Sequence, residues 1–322
     1  MTPNQAALPE RRRVDGVLLL DKPSGISSNA ALQRVKRLYR AEKAGHTGTL
    51  DPLATGLLPI CFGEATKFAH LLLDADKTYR ATLRLGVTTT TGDAEGEVVD
   101  ERPAAASQSD VERVLRRFVG RIAQVPPRHS ALKRDGRSYY HYARAGVEIE
   151  RRPRDVEVRA IELLAWRPLE VEISVRCGKG TYIRALAEDI GEALGCGAHL
   201  SALTRTAAGE FDLSAAATLD TLEAGDEARR DAALLPLDAP VRRLERMDLD
   251  RGDAQRLSCG QALACARPDG IVRVYAGGSF AGVAEIRAAV LRARRMLAQS
   301  ESAGVSPEDG SATRLNPKHF PG

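Results

Sequence analysis

Residues 78 to 85 alternate without a break: Tyr79, Ala81, Leu83 and Leu85 fall on one side, Thr78, Arg80, Thr82 and Arg84 on the other. A period of two over eight residues fits a strand with one buried face and excludes an amphipathic helix there. Val171 to Cys177 alternates in the same way, residues 156 to 164 read as a strand, and VLLL at 17 to 20 reads as a short buried one. Helix-period segments are interspersed. One is capped by Ser27 or Ser28 and runs to about Arg40, with Leu32, Val35 and Leu38/Tyr39 inward. Others cover residues 64 to 73, Asp110 to Val119, and about Tyr182 to Leu194. The order lacks regular βαβ units, which predicts an α+β fold with a mixed, largely antiparallel sheet.

At 322 residues the chain is long enough for more than one domain. The main unit is expected over 14–240, and a small β-rich module over 246–298, where IVRVYA and SFAGVAEI read as strands. Residues 1–13 and the Gly-, Pro- and Ser-rich 299–322 are expected to be a disordered arm and tail. No apolar run reaches the roughly 20 residues that span a bilayer, and VLLL is too short for a signal-peptide core. A cytoplasmic protein without membrane association is expected. The five cysteines are scattered and contain no Cys-x-x-Cys pair, which argues against a disulfide framework or a structural zinc. Net charge is only +4, but residues 111 to 160 carry 13 Lys/Arg against 6 Asp/Glu, while 211 to 240 carry 2 against 7. Such asymmetry is consistent with a surface built to meet an anion, or with solvated helix faces.

The segment GHTGTLDPLATG, residues 45 to 56, places one carboxylate, Asp51, in a loop of small residues. Pro52 biases Asp51 away from the α region, and Gly45, Gly48 and Gly56 allow bending and close approach. The loop reads equally as an ordinary turn or as a presented acid.

The surrounding words distinguish these readings. GHTGTLDPLATGLLPICFGEATK resembles the signature of the TruB family of tRNA pseudouridine synthases. Further matches follow in family order: GVLLLDKPSGISS from 16, KTYRA from 77, QVPP from 124 with SALK from 130, GKGTYIR from 178, and LTR from 203. They span most of residues 14 to 212. The resemblance implies the pseudouridine-synthase fold, a long sheet with a central cleft, followed by a PUA-like C-terminal module. It also implies isomerisation of uridine 55 in the T loop of tRNA, with the T-arm as partner, a monomer without an obligatory protein partner, and no cofactor.

Residue by residue, Asp51 corresponds to the family's catalytic carboxylate, whose attack on either C1′ of the ribose or C6 of the base is left open. Arg184 matches its ion-pair partner. Tyr79 matches the aromatic that stacks on the flipped uracil and is a candidate base, and Tyr182 a second active-site aromatic. His46 is implied against the RNA, holding the target nucleotide out of the stack. Lys22 is implied either on RNA or as a brace for the loop, and Leu203 lines the uracil pocket. Metal ligation by His46 is disfavoured because no His/Asp cluster surrounds it.

Residues 124 to 155 interleave Arg128, Lys133, Arg134, Arg137, Arg144, Arg151, Arg152 and Arg154 with Tyr139, Tyr140 and Tyr142. They align with a family insertion that closes over the T-arm. His129 stands where a Tyr is usual, which concerns the docking of this segment rather than the chemistry. A catalytically inactive RNA-binding protein or tRNA chaperone on the same fold is the alternative. A phosphate-binding transferase is disfavoured, since the chain has neither GxxxxGK[ST] nor a GxGxxG following a strand.

Overall fold

The alternating segment forms a central strand of an eleven-stranded sheet. The structure, a computed structural model, describes residues 10–128, 130 and 132–298; of Lys133 and Ser138 only the backbone is described. In chain order the sheet-forming region comprises β1 (Gly16–Lys22), β2 (Ala44–His46), β3 (Thr55–Phe62) and β4 (Lys77–Leu85). A hairpin of β5 (Val87–Thr89) and β6 (Val98–Glu101) follows, then β7 (Gly120–Gln124), a small hairpin of β8 (Lys133–Arg134) and β9 (Arg137–Ser138), β10 (Arg154–Arg167), β11 (Glu170–Cys177) and β12 (Ala198–Ala208). The main path runs β1-β3-β12-β4-β11-β10-β7, and only the β3–β12 contact along it is parallel. The fold is therefore α+β with a mixed, largely antiparallel sheet.

The buried face of β4 carries Ala81, Leu83 and Leu85, as the alternation requires, and Arg80 and Arg84 are exposed. β1 and β3 instead read as near-continuous apolar runs because both of their faces are covered. Helices α1 (Ser28–Leu38), α2 (Ala69–Asp74), α3 (Gln108–Arg117) and α5 (Ile183–Ala193) pack around the sheet, while α4 (Tyr139–Arg144) packs against the small β8–β9 hairpin. Two large apolar clusters result. One joins Leu83, Ile173, Val175, Leu186 and Ile190; the other joins Leu18, Leu20, Val35, Leu58 and Phe62. Tyr79 and Leu203 pack against both, so they mark the junction between the two halves of the sheet.

Several boundaries differ from the sequence expectation. Residues 64 to 73 are not one helix: a 3-10 turn at Gly63–Phe68 precedes α2. Gly63 at φ +51° turns the chain there, and the Asp15 carboxylate takes the Glu64 amide. Helix α1 stops at Leu38, and Arg40 sits at φ +50°. The 156 to 164 strand extends to 154–167, with two register shifts against β11.

Of the expected disordered arm, residues 1–9 lie outside the described residues, but Arg12 is docked: it bridges to Ala41 and holds Asp231 with two guanidinium nitrogens. The tail at 299–322 also lies outside the described residues. The acidic 212–240 stretch closes one edge of the sheet, pairing Ala217–Thr218 and Leu234–Leu235 with β1. Its carboxylates Glu223 and Glu227 pair with Arg34 and Arg40 of the α1 region. Part of the local negative charge is thus a structural counterpart of that basic region. Residues 245–296 form a separate five-stranded sheet, which contacts the main body through Phe68, Val241, Val283 and Phe280.

Candidate active site

The Asp51 loop is held from three sides. Ser28 accepts from the Leu50 amide at 2.7 Å and donates to the Leu50 carbonyl at 2.9 Å. The Gly25 amide donates to the Pro52 carbonyl, and Ser24 to that of Leu53. The segment from Lys22 to Ser28 is therefore a cradle for the loop, which accounts for the two motifs being matched together. On the sheet side, Gly56 at φ +96° lets β3 approach β12 so closely that a Cβ there would lie 2.4 Å from the Arg205 carbonyl.

Asp51 borders a cavity of about 280 Å³ whose lining includes Tyr79, Tyr182, Arg184, Leu203 and Arg205. Arg184, in the first turn of α5 and buried, places Nε 3.0 Å from Asp51 Oδ2. The guanidinium is shared. Nη1 lies 3.4 Å from Asp93 Oδ2 and donates to the Thr91 carbonyl at 3.2 Å. The fork thus reaches two carboxylates, Asp51 and Asp93. Asp93 was missed because it lies in the polar TTTTGDAEGE connection, where a Gly-Asp turn carries no distinguishing spacing. Its buried side chain is held by Thr91, whose hydroxyl donates to Oδ1 at 2.5 Å.

The electrostatics follow from this sharing. Burial pushes the Asp51 carboxyl above its ordinary value, Arg184 and Lys22 pull it down, and Asp93 pushes it further up; the net direction is upward. Tyr79 is raised as well, by burial, with Arg205 opposing. Tyr182 caps α5 without a side-chain bond, and Gln124 holds its backbone by accepting from its amide at 3.0 Å and donating to its carbonyl. Burial raises the Tyr182 phenol.

Lys22 lies beneath the Asp51 loop. It is fully buried, and its ammonium donates to the Pro23 and Ile26 carbonyls at 2.8 Å and toward that of Pro52. Burial pushes its pKa down to about 8. A strand-end lysine would ordinarily be exposed, and only the packing of the loop over it removes water. His46 ends β2, half-buried, and burial and Arg205 push its pKa down. Its Nδ1 has no hydrogen-bond partner among the described residues.

The structure brings Asp51, Tyr79, Tyr182, Arg184 and Leu203 to one cavity. His46 and Lys22 are outside its lining, and so is Arg144 in the 124–155 segment. Arg144 sits 4.6 Å from the Tyr140 ring centroid. The side chain of Lys133 and all of His129 lie outside the described residues. Part of the basic charge in this segment is already paired, Arg128 with Glu148 and Arg152 with Glu150. Among the described residues no cluster of His, Cys, Asp or Glu could hold a metal, and no helix is long and apolar enough to cross a membrane.

Comparison with known proteins gives a consistent result. Residues 36–183 match the model of the TruB family pseudouridylate synthase N-terminal domain. Residues 184–242 match the tRNA pseudouridylate synthase B C-terminal domain, and 246–297 match the pseudouridine synthase II TruB C-terminal model. The chain is 55% identical over 291 residues to the tRNA pseudouridine synthase B of Azoarcus sp. strain BH72, covering 89% of this chain and 96% of that protein. It is 56% identical over 292 residues to the protein of the same name from Thiobacillus denitrificans, covering 90% and 98%. Among solved structures, a Cbf5-Nop10-Gar1 complex aligns with a TM-score of 0.64 at 29% identity, covering 84% of this chain and 78% of that one. An H/ACA RNP bound to a substrate RNA containing 2'-deoxyuridine aligns at 0.63 and 26%, covering 84% and 77%. With the motifs in order, the site assembled and the matched models spanning most of its length, the chain belongs to the TruB family of pseudouridylate synthases.

Proposed function

We propose that this enzyme converts uridine 55 in the T loop of tRNA to pseudouridine, with Asp51 as the nucleophile. The reaction breaks the N1–C1′ bond and forms C5–C1′, with no redox change and no net hydrolysis. It needs a carboxylate that can form and release a covalent bond, and a pocket that retains the freed uracil. The observation that carries this reading is the Asp51–Arg184 pair at 3.0 Å, on the wall of a cavity also lined by Tyr79, Tyr182 and Leu203. Tyr79 and Leu203 offer apolar faces to a base, and Arg184 favours the ionised form of Asp51. A uridine in folded RNA must leave its stack, at a cost of a few kcal/mol. Contacts from the 124–155 segment, with Arg144 and Lys133 among them, offset that cost in this reading. His46 helps hold the extruded nucleotide out of the stack, and Lys22 keeps the loop in place.

A pure RNA chaperone would have no need for a paired acid in a half-closed pocket. The test is pseudouridine mapping in T-arm RNA incubated with wild-type protein and with Asp51→Asn. Asp51→Asn should form no product while binding RNA within about tenfold of wild type, a ~1.4 kcal/mol window. Product from the pure variant would eliminate Asp51 as the nucleophile.

A further inference from the structure

Arg205 is among the largest fully buried side chains of the protein, 1% exposed. Lys22 and Lys77 are buried cations too, and all three donate to backbone carbonyls. Among the described residues, none of the three forms an ion pair with a carboxylate. Burying a guanidinium this way is costly, and an apolar residue of similar size would fill the space more cheaply. The placement of Arg205 indicates what offsets the cost. Its Cα is the direct partner of Tyr79 in the β12–β4 register, so the two side chains stand side by side on one face of the sheet. Both line the cavity beside Asp51.

The guanidinium then reaches two further segments. Nε donates to the Leu57 carbonyl of β3 at 2.7 Å, and Nη2 to the Gly48 carbonyl, three residues before Asp51, at 3.1 Å. Nη1 lies beside Gly48, where a Cβ would stand 3.4 Å from it.

We propose that Arg205 is a positioning residue for the reaction: one rigid guanidinium clamps the Asp51 loop through Gly48 and aims Tyr79 into the cleft. The two groups that bracket the substrate are thereby tied to a single support. A planar fork with five donors can hold this geometry, whereas a lysine has only a point charge on a flexible stem. The opposing pull of Arg205 on the raised Tyr79 phenol agrees with the proximity. The other groups acting on Tyr79 are Cys177 and Asp51. This inference rests on the functional reading above, in which Tyr79 contacts the base.

The test compares Arg205→Met and Arg205→Lys, each alone and combined with Tyr79→Phe, in single-turnover pseudouridine formation and T-arm RNA binding. Arg205→Met should lower the turnover rate about 100-fold, the scale of a misplaced reacting group, with RNA affinity within about threefold of wild type. Arg205→Lys should recover at least about tenfold of that loss. The effect of Arg205→Met should shrink to about tenfold in the Tyr79→Phe background, because only the Gly48 clamp remains to be lost. An equal loss in both backgrounds, or a rise in KM with kcat unchanged, would overturn the proposal. If Arg205→Met does not fold, the guanidinium NMR resonances of Arg205 in wild type and Tyr79→Phe provide the second test. They should shift when the hydroxyl is removed, and unmoved signals would overturn the proposal. That measurement needs no turnover, so wild-type protein that makes no pseudouridine would refute the functional reading separately.

Discussion

Removing Arg184 tests whether Asp51 must be charged to act. With Nε and Oδ2 3.0 Å apart, the two charge centres lie about 4 Å from one another. At an effective dielectric constant of about 20 their attraction is ~4 kcal/mol, and at about 40 it is ~2 kcal/mol. The Asp51 side chain is 40% exposed, so the screened end of the range applies. Two kcal/mol corresponds to about 1.5 pKa units. Burial and Asp93 already hold Asp51 above the ordinary carboxylate range, and Arg184→Met would raise it further by that amount. The acid limb of kcat/KM against pH should therefore move about 1.5 units toward alkaline pH. Arg184→Lys should leave the limb nearly in place and lower the plateau instead, because charge survives while the fork between Asp51 and Asp93 is lost. Single-turnover release of tritium from C5-labelled uridine across pH 5 to 9 measures both. Unpairing the buried Asp93 also threatens the fold, by ~3–5 kcal/mol, so the Arg184→Met/Asp93→Asn double variant serves as the folded control. A Met variant with the wild-type acid limb would refute the claim that Arg184 controls Asp51 ionisation.

Other outcomes follow from the same geometry. Asp93→Asn removes a carboxylate that raises Asp51, so the acid limb should shift toward acid, read in the same assay. Lys77 is buried, and burial pushes its pKa from 10.5 to about 8. Because the folded state binds its proton less tightly than the unfolded chain, its contribution to stability rises between pH 8 and 10.5. Relative to wild type, Lys77→Met should lose that rise, about 3 kcal/mol at full extent, in urea melts at pH 7.5 and 10. Gly56→Ala should cost roughly 2–4 kcal/mol in the same melts, since a Cβ would collide with the Arg205 carbonyl at a positive φ. RNA binding should weaken steeply with added salt; a flat response would remove the phosphate contacts assigned to the 124–155 segment.

Where sequence reading fell short, each shortfall has a physical source. Periodicity located β4, β11, α1, α3 and α5 because each has one buried and one open face. It merged Gly63–Phe68 with α2, because a 3-10 turn and an α turn carry nearly the same apolar spacing over ten residues. Charge counts located the 211–240 acidity but not its partners, because they do not reveal that Arg34 and Arg40 lie opposite.

For the site, the motifs alone singled out Asp51, Tyr79, Tyr182, Arg184 and Leu203, since family words are preserved as local strings. What required the tertiary structure was every relation that crosses the sheet. Asp93 shares Arg184, Lys22 is sealed under the loop rather than left in solvent, and Arg205 faces Tyr79 while holding Gly48. Each depends on strand register and on water being excluded between segments 30 to 160 residues apart. Linear order carries the identity of an ionisable side chain, whereas its solvation and partners, and therefore its charge state, are set only once those segments pack.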